Sequence, residues 1–143
     1  MRLSQASDFA LRILMAAGQS DDPQTVDKLS LQLDLAKSHV MKIVAKLAKA
    51  GYLETTRGRG GGIRIAISPD NIRLGEVVRL IEPDLGVVGC LKPVPSDCTF
   101  LPRCALKGAM ANAAEAFLDS LNTQTLATIL AGTQKTTLPV RPT

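Results

Sequence analysis

Three cysteines, Cys90, Cys98 and Cys104, stand close together with the spacing Cys-x7-Cys-x5-Cys. Their neighbours are mainly prolines and polar or charged residues, whereas core cysteines normally lie within apolar periodic segments. Three thiolates on such a segment can hold an iron–sulfur cluster, which is larger than a single ion and tolerates wide spacing. Three alternatives stay open: a zinc site, which usually has tight Cys pairs and four ligands, a redox switch, which needs only two thiols, and packing.

A cluster bound by three thiolates needs a fourth ligand, and the residues around the cysteines supply no histidine. Position 107 is Lys107, and the one histidine of the chain is His39. The odd cysteine count also argues against a secreted disulfide framework, because three cysteines cannot all pair within one chain. No acid/base or nucleophile constellation accompanies the thiols, so we expect a protein that is not an enzyme.

The cysteines lie in a segment without hydrophobic periodicity, residues 83–104, which contains four prolines. Apolar spacing predicts a helix over about residues 74–81 before it, and Pro83 prevents that helix from continuing. A longer helix is predicted from Cys104, with the apolar stripe Leu106, Ala109, Met110, Ala113, Phe117 and Leu121. Only the short segment 125–130 follows to cover that stripe, so we expect a second copy of the chain to cover it in a symmetric homodimer. The alternative is that the helix packs back on its own domain.

Three helices are predicted before Gly51. Ser4 and Thr25 have N-cap chemistry for the first and the second, and apolar residues recur at three- and four-residue spacing in each. The third begins near Ala36 and ends at Gly51, a residue typical of helix C-termini. This arrangement predicts a helix-turn-helix motif. On its third helix, the residues that lie away from the apolar stripe and can face a major groove are Ser38, His39, Lys42, Lys46 and Lys49.

A β-hairpin is predicted directly after the third helix. Residues 52–56 are β-prone, residues 63–67 alternate apolar and polar, and the glycine-rich joint 57–62 carries Arg57 and Arg59 at its tip. The joint lacks the Gly-Lys-Ser/Thr ending of a phosphate-binding loop and opens no helix, so a nucleotide site is disfavoured. A hairpin in this place is the wing of a winged helix-turn-helix.

The positive charge of the chain is concentrated in these elements. Residues 37–64 contain seven basic residues and one acid, Glu54, a net charge of +6 against +4 for the whole chain. A basic segment on a slightly acidic body favours a polyanionic partner, although a solvated helix face with a basic loop is the plainer alternative. The four aromatic residues argue against the stacking platforms of RNA and single-strand binders. Double-stranded DNA is therefore the expected partner.

The length of 143 residues, with 45% hydrophobic and 21% charged residues, indicates one globular domain with appended segments. We expect a mainly α fold with a small β-hairpin wing. Its parts are a winged helix-turn-helix (1–82), the cysteine-bearing cluster loop (83–104), a dimerisation helix with a short following helix (105–131), and a disordered tail (132–143). No apolar run reaches membrane-spanning length and the first residues lack a signal-peptide pattern, so a cytoplasmic location is expected.

In several segments the chain resembles the bacterial iron–sulfur winged-helix repressors, the family of IscR, NsrR and RirA. The resemblance covers about residues 1–131. Its anchors are MRLS (1–4), DFALR (8–12), SHVMKI (38–43), AGYL (50–53) and RGRGGGI (57–63), together with the three-cysteine segment and the following Leu106-Lys107. Within the family, the HVMK stretch and the lack of a histidine three residues after the last cysteine are most similar to the nitric-oxide-sensing NsrR branch.

The resemblance implies the ligand set Cys90, Cys98, Cys104 and Asp8, with the aspartate supplied by the other subunit. By itself, Asp8 would be interpreted as a first-turn acid that the helix dipole favours. The implied cofactor is an iron–sulfur cluster, with [4Fe–4S] preferred over [2Fe–2S], although the gap between Cys90 and Cys98 is longer than is typical of the family.

The function implied is that of a homodimeric transcriptional repressor on a palindromic operator, controlled by a cluster that reacts with nitric oxide. The alternatives are a repressor of the same family that senses iron or cluster status, and a winged-helix DNA-binding protein with zinc or redox thiols. Two recognition helices would enter successive major grooves about 34 Å apart. Lys42 and Lys46 are expected to contact phosphates, and Ser38 and His39 base edges. The wing arginines are expected to reach the minor groove or the backbone.

Overall fold

The structure, a computed structural model, describes residues 3–92, 97–101 and 103–133. In those residues it contains six α-helices and one two-stranded antiparallel sheet, which confirms the predicted mainly α fold with a small hairpin. In chain order the elements are α1 (Gln5–Gly18), α2 (Val26–Leu33), α3 (Lys37–Lys49), β1 (Leu53–Thr56), β2 (Gly62–Ile65), α4 (Leu74–Ile81), α5 (Ala105–Asn122) and α6 (Leu126–Gly132). Most of the predicted tail, from residue 134 on, lies outside the described residues.

Side-chain caps begin α1 and α2 as the sequence predicts. The Ser4 hydroxyl accepts a hydrogen bond from the Ser7 backbone N–H at 3.3 Å, and the Thr25 hydroxyl accepts one from Lys28 at 3.1 Å. Each bond satisfies an N–H group that the first helical turn leaves without a partner. Between α2 and α3, Asp34 adopts a left-handed conformation with φ 53°, which makes the tight connection of the helix-turn-helix.

Gly51 ends α3, as its position predicts. Its φ of 84° lies in the left-handed region, where a residue without a Cβ has no steric penalty. The Gly51 N–H donates to the Ala48 carbonyl and the Tyr52 N–H to the Leu47 carbonyl, both at 3.0 Å. This Schellman pattern satisfies the last carbonyls of the helix, and it turns the chain directly into β1.

The wing is an antiparallel hairpin in which Leu53 pairs with Ile65. The second strand ends at Ile65, short of the predicted end at residue 67, because the chain before Leu53 belongs to the turn that ends α3. A backbone bridge docks the hairpin on the helical domain. Gln24 and Ile63 exchange N–H···O bonds of 2.8 and 2.7 Å. The wing is therefore fixed beside the start of α2.

Helix α1 lies at the centre of the core and packs against α2, α3, α4, α6 and β2. Its Ile13 and Leu14 are fully buried. The other fully buried large side chains come from every layer around it: Leu29, Val40, Leu47, Ile72, Val77, Val78, Leu118 and Leu126. The apolar stripes of the first four helices thus face one shared core, which is what their helical periodicity predicts.

Helix α5 packs along α4 of the same chain. Gly75 of α4 permits the close approach, because a Cβ there would overlap the Leu118 carbonyl oxygen and lie 2.5 Å from Asn122 Oδ1. Asn122 Oδ1 also accepts a hydrogen bond from the Glu76 N–H at 3.0 Å. One face of α5 is therefore covered within the chain, which is the arrangement expected if the helix packs back on its own domain.

Helix α6 brings the end of the described chain back to α1. The Leu126 N–H donates to the Ile72 carbonyl at 2.8 Å, and the Leu74 N–H donates to the Gln124 carbonyl at 3.2 Å. These bonds join the start of α6 to the start of α4, so α4, α5 and α6 form one connected layer. Among the helices that the structure describes, none is both long and apolar enough to span a membrane.

Candidate functional site

Helix α3 has one buried and one exposed face. The buried face consists of Val40, Ile43, Val44 and Leu47. The exposed side includes all four α3 residues predicted to contact DNA, Ser38, His39, Lys42 and Lys46. A helix that follows a tight turn and exposes basic side chains has the shape and charge required to enter the major groove of a duplex.

The His39 ring stacks on the ring of Phe9 in α1. The ring centroids are 6.2 Å apart and the planes are inclined by 28°. His39 is also exposed, so its ring can contact α1 and still offer a polar edge to solvent. Phe9 directly follows Asp8 in the chain, and the stack therefore joins the helix that carries this candidate ligand to the start of α3.

Lys46 has a different environment from the one that the sequence suggests. Its Nζ donates a hydrogen bond to the backbone carbonyl oxygen of Ile81, at the end of α4, over 3.2 Å. Lys37 is also occupied, because its Nζ lies 2.6 Å from Asp27 Oδ1 of α2. The Lys46 ammonium group therefore contacts the end of α4, which the sequence does not predict, and nothing in the described residues tests the expected phosphate contact.

The wing tip presents both of its arginines to solvent. Arg57 and Arg59 are exposed, and Gly58 and Gly60 have φ values of 94° and 73°. Residues with a Cβ rarely adopt such angles, so the glycines allow this tight reversal. The Gly61 N–H closes the turn by donating to the Gly58 carbonyl at 3.0 Å. The two guanidinium groups are therefore free to reach a polyanion beside α3.

Met41 is a surface residue of α3 for which the sequence predicts no contact with DNA. Its side chain is 55% exposed, although it is large and apolar. The available signal was its position between Val40 and Lys42, just outside the apolar stripe of the helix. An apolar side chain on this surface can contact the methyl groups of thymine, a form of base recognition that needs no hydrogen bond.

The three cysteines lie on the segment that connects α4 to α5. Cys90 is in the 3₁₀ turn Gly89–Leu91, which packs against α5, and Cys104 is the N-cap residue of α5. All three thiols are half-buried and free of disulfides. Within residues 3–92, 97–101 and 103–133, no three His, Cys, Asp or Glu side chains converge as ligands of one ion. The structure therefore does not bring the predicted ligand set together in a single chain.

Asp8 lies in the first turn of α1 and forms a two-point ion pair with Arg12. The Oδ2–Nη2 distance is 3.0 Å, and Nε donates to Oδ1 at 3.1 Å. The Asp8 side chain remains 48% exposed. An exposed pair of this kind contributes little to stability, and the carboxylate is accessible to another molecule.

A second contact places the start of the cysteine segment close to α1. Glu82 Oε1 accepts a hydrogen bond from the Ser4 N–H at 2.8 Å. Ser4 is the N-cap of α1 and Glu82 is the C-cap of α4. Segment 83–104 thus leaves the domain beside the N-terminus of the helix on which Asp8 lies.

Comparison with known proteins gives a family match along almost the whole described chain. A family model described as "Rrf2: Iron-dependent Transcriptional regulator" matches residues 3–132. The chain is 36% identical over 132 residues to "HTH-type transcriptional regulator NsrR" of Bacillus licheniformis, an alignment that covers 91% of this chain and 92% of that protein. It is 39% identical over 132 residues to the protein of the same name from Geobacillus kaustophilus, covering 91% of this chain and 90% of the relative.

Solved structures support the fold. T. potens IscR matches with a TM-score of 0.75, covering 97% of this chain and 93% of the other, at 20% sequence identity. At that identity the likeness concerns the fold alone. The family description and the names of both sequence relatives are those of transcriptional regulators and not of enzymes.

Proposed function

The chain belongs to the Rrf2 family of transcriptional regulators and is not an enzyme, and from this premise we propose that it is a homodimeric repressor of palindromic operators, controlled by an iron–sulfur cluster that reacts with nitric oxide. The observation that carries the proposal is the joint presence of two sites in one small fold. One is the exposed basic surface of α3 and the wing. The other is the segment with three half-buried thiols that begins at the end of α4.

The surface of α3 and the wing supports DNA binding by charge and by shape. Lys42 would contact phosphates, Ser38 and His39 base edges, and the arginines of the wing the minor groove or the backbone. Contacts of this kind release counterions. Neutralising about 6–10 phosphates per dimer should make operator affinity fall steeply with salt. Affinity that does not change between low and physiological salt would contradict this part of the proposal.

The donor set is chemically suited to an iron–sulfur cluster. Cys90, Cys98 and Cys104 offer three thiolates from one segment, and thiolates are the usual ligands of such clusters. His39 is an unsuitable fourth ligand, because it lies in the recognition helix and stacks on Phe9. When bound, the cluster would supply iron with which nitric oxide reacts. A [4Fe–4S] form is preferred to [2Fe–2S] as part of the proposal.

Asp8 from the other subunit is proposed as the fourth ligand. Its carboxylate is accessible, and the partner that it has in the chain is a surface arginine. A carboxylate is a harder ligand than a thiolate and suits iron–sulfur chemistry less well, so this contact would be the labile one. While it lasts, it ties the two subunits into one geometry. Its loss would bias the two recognition helices away from operator spacing.

Helix α5 supports a dimer because it has a second apolar face. The face that packs on α4 is centred on Leu118. The other one carries Leu106, which is 59% exposed, and the exposed Ala109 and Ala113, with Met110 and Phe117 half-buried beside them. A second copy of this helix would bury that face and place the two cysteine segments near each other.

The proposal is tested by purifying the protein without oxygen and measuring its absorbance, its native mass and its operator affinity. We expect a coloured dimer with one cluster per chain that binds the operator, and that loses most of its affinity after exposure to nitric oxide or removal of the cluster. Asp8→Ala should weaken cluster retention. Asp21→Ala, at an exposed acid of the α1–α2 turn, is the matched control and should behave as the wild type.

Other outcomes identify the alternatives. A colourless protein that contains zinc indicates a structural metal, and a metal-free protein that responds to oxidants indicates redox thiols. A cluster-bearing protein that releases DNA on iron depletion but not with nitric oxide is a sensor of iron or cluster status. Equal operator affinity with and without the cluster contradicts cluster control altogether.

A further inference from the structure

The last backbone carbonyl of α4, that of Ile81, accepts a hydrogen bond from a side chain of α3. The last four carbonyls of an α-helix lack intrahelical partners, and Pro83, which stands where a donor for the Arg79 carbonyl would be, has no N–H. The Ile81 carbonyl accepts its bond from Lys46 Nζ, 35 residues earlier in the chain, at 3.2 Å. A cation at this point also faces the negative end of the helix dipole.

This bond joins the recognition helix to the point where the cysteine segment begins. Ile81 is 4% exposed, so its backbone cannot shift without repacking the core around it. The next residue, Glu82, accepts a bond from the Ser4 N–H at 2.8 Å, and the cysteine segment starts one residue later. The last turn of α4 is therefore restrained from two sides, by α3 through Lys46 and by the start of α1 through Glu82.

We infer that Lys46 is a positioning residue, whose ammonium group couples the state of the cysteine segment to the placement of α3 against DNA instead of binding a phosphate. The inference rests on the proposed function, because the bond would link the state of the cluster to the binding of DNA. With the segment in one arrangement, the Ile81 carbonyl keeps Lys46 in place and α3 keeps its orientation. When the segment rearranges, the last turn of α4 repacks with it, the Ile81 carbonyl moves away from Lys46, and α3 loses this restraint.

Lys42 is the matched comparison for Lys46. It lies one helical turn earlier on α3 and is exposed, so replacing either lysine by methionine removes the same charge from the same helix. Salt dependence separates the two roles. Each phosphate-bound lysine contributes about one unit to the slope of log affinity against log salt, and the two copies in a dimer contribute about two.

The experiment measures operator affinity against salt for the wild type, Lys42→Met, Lys46→Met and Lys46→Arg, each with the cluster loaded and removed. Lys42→Met should lower the slope by about two units and keep the ratio of loaded to cluster-free affinity. Lys46→Met should change the slope by less than about one unit and lower that ratio by about fivefold or more, the size of a weak allosteric coupling. Lys46→Arg keeps a cationic donor and should restore most of the ratio.

The opposite outcome is equally clear. If Lys46→Met loses as much slope as Lys42→Met and keeps the ratio of loaded to cluster-free affinity, Lys46 is a phosphate contact and the inference is wrong.

Amide hydrogen exchange of the dimer as purified without oxygen, in which the proposed function expects the bond to be intact, separates this inference from the proposed function. Loss of one hydrogen bond should raise exchange in the last turn of α4 by about threefold in Lys46→Met, and leave it unchanged in Lys42→Met. If no cluster binds, or if the operator affinity of the wild type does not depend on the cluster, the proposed function fails. The exchange rates still test the hydrogen bond between Lys46 and Ile81. Equal exchange rates in Lys46→Met and the wild type contradict the positioning role, whatever the DNA measurements give.

Discussion

The rings of Phe9 and His39 stack with their centroids 6.2 Å apart and their planes inclined by 28°. Phe9 is half-buried on α1, directly after Asp8, and His39 lies in the first turn of α3. The start of α3 therefore rests on α1, the helix that carries the proposed cross-subunit ligand. This contact and the bond from Lys46 to Ile81 restrain α3 at two separate places.

The first prediction concerns the energy of this stack. Phe9→Leu and His39→Asn, made singly and together, should give a double-mutant coupling of about 0.5 kcal/mol in urea unfolding, since a partly exposed ring pair lies at the low end of the range for aromatic pairs. Operator affinity should fall in both single variants, in Phe9→Leu because α3 loses a restraint and in His39→Asn because the proposed base contact changes as well. A coupling of zero within error would mean that the two rings are neighbours without interacting.

The second prediction concerns two helical glycines with opposite surroundings. At Gly75 an added Cβ would overlap the Leu118 carbonyl oxygen. Gly75→Ala should therefore push α5 away from α4 and lower the free energy of unfolding by about 1–3 kcal/mol. At Gly108 of α5 nothing lies within 4 Å of the added atom. Gly108→Ala should therefore stabilise the protein by about 0.5–1 kcal/mol through helix propensity. Chemical denaturation checks both, and a tolerated Gly75→Ala would contradict the close helix packing.

The third prediction tests the uncovered apolar face of α5. Ala113→Glu puts a charge in the middle of that face and should raise the dimer dissociation constant by about 100-fold, because an unpaired charge would be buried in the contact. Asn112→Glu adds the same charge to the neighbouring exposed position and is the control, since residue 112 points away from the apolar face. Sedimentation equilibrium measures both. If Ala113→Glu has the dimer mass of the wild type at the same concentration, the interface lies elsewhere.

The fourth prediction concerns the exposed ion pair of Arg79 on α4 and Glu115 on α5. The hydrogen bond from Arg79 holds the pKa of the Glu115 carboxyl below its ordinary value of 4.5. Because the folded-state pKa is the lower one, the pair stabilises the fold above the ordinary carboxyl pKa, and this contribution is lost as the pH falls through the folded value.

The stability difference between the wild type and Glu115→Gln should therefore be present at neutral pH and disappear in acid. It should also shrink in high salt, since both side chains are exposed. Urea unfolding at a series of pH values measures it, with Asp21→Asn at the exposed α1–α2 turn as the control. A difference that grows as the pH falls would contradict the pairing.

The local elements of this protein could be predicted from its sequence, because each depends on a few neighbouring residues. The hydroxyls of Ser4 and Thr25 cap helices within a single turn, and Gly51 adopts the left-handed conformation that ends α3. The glycine-rich wing and the concentration of basic residues in 37–64 are also sequence features. The family match over residues 3–132 agrees with the resemblance that these segments carry.

The tertiary structure alone decided which surfaces and polar groups meet. Helical periodicity shows that a face of α5 is apolar, yet it does not say whether α4 or a second chain covers it. The structure covers the face around Leu118 and leaves the one around Ala113 open. Helical periodicity places Lys46 on the same exposed side as Lys42, and only the packing of α4 brings the Ile81 carbonyl within reach of its ammonium group. Such contacts join residues far apart in sequence, and their partners are set by the packing of the whole core and not by local pattern.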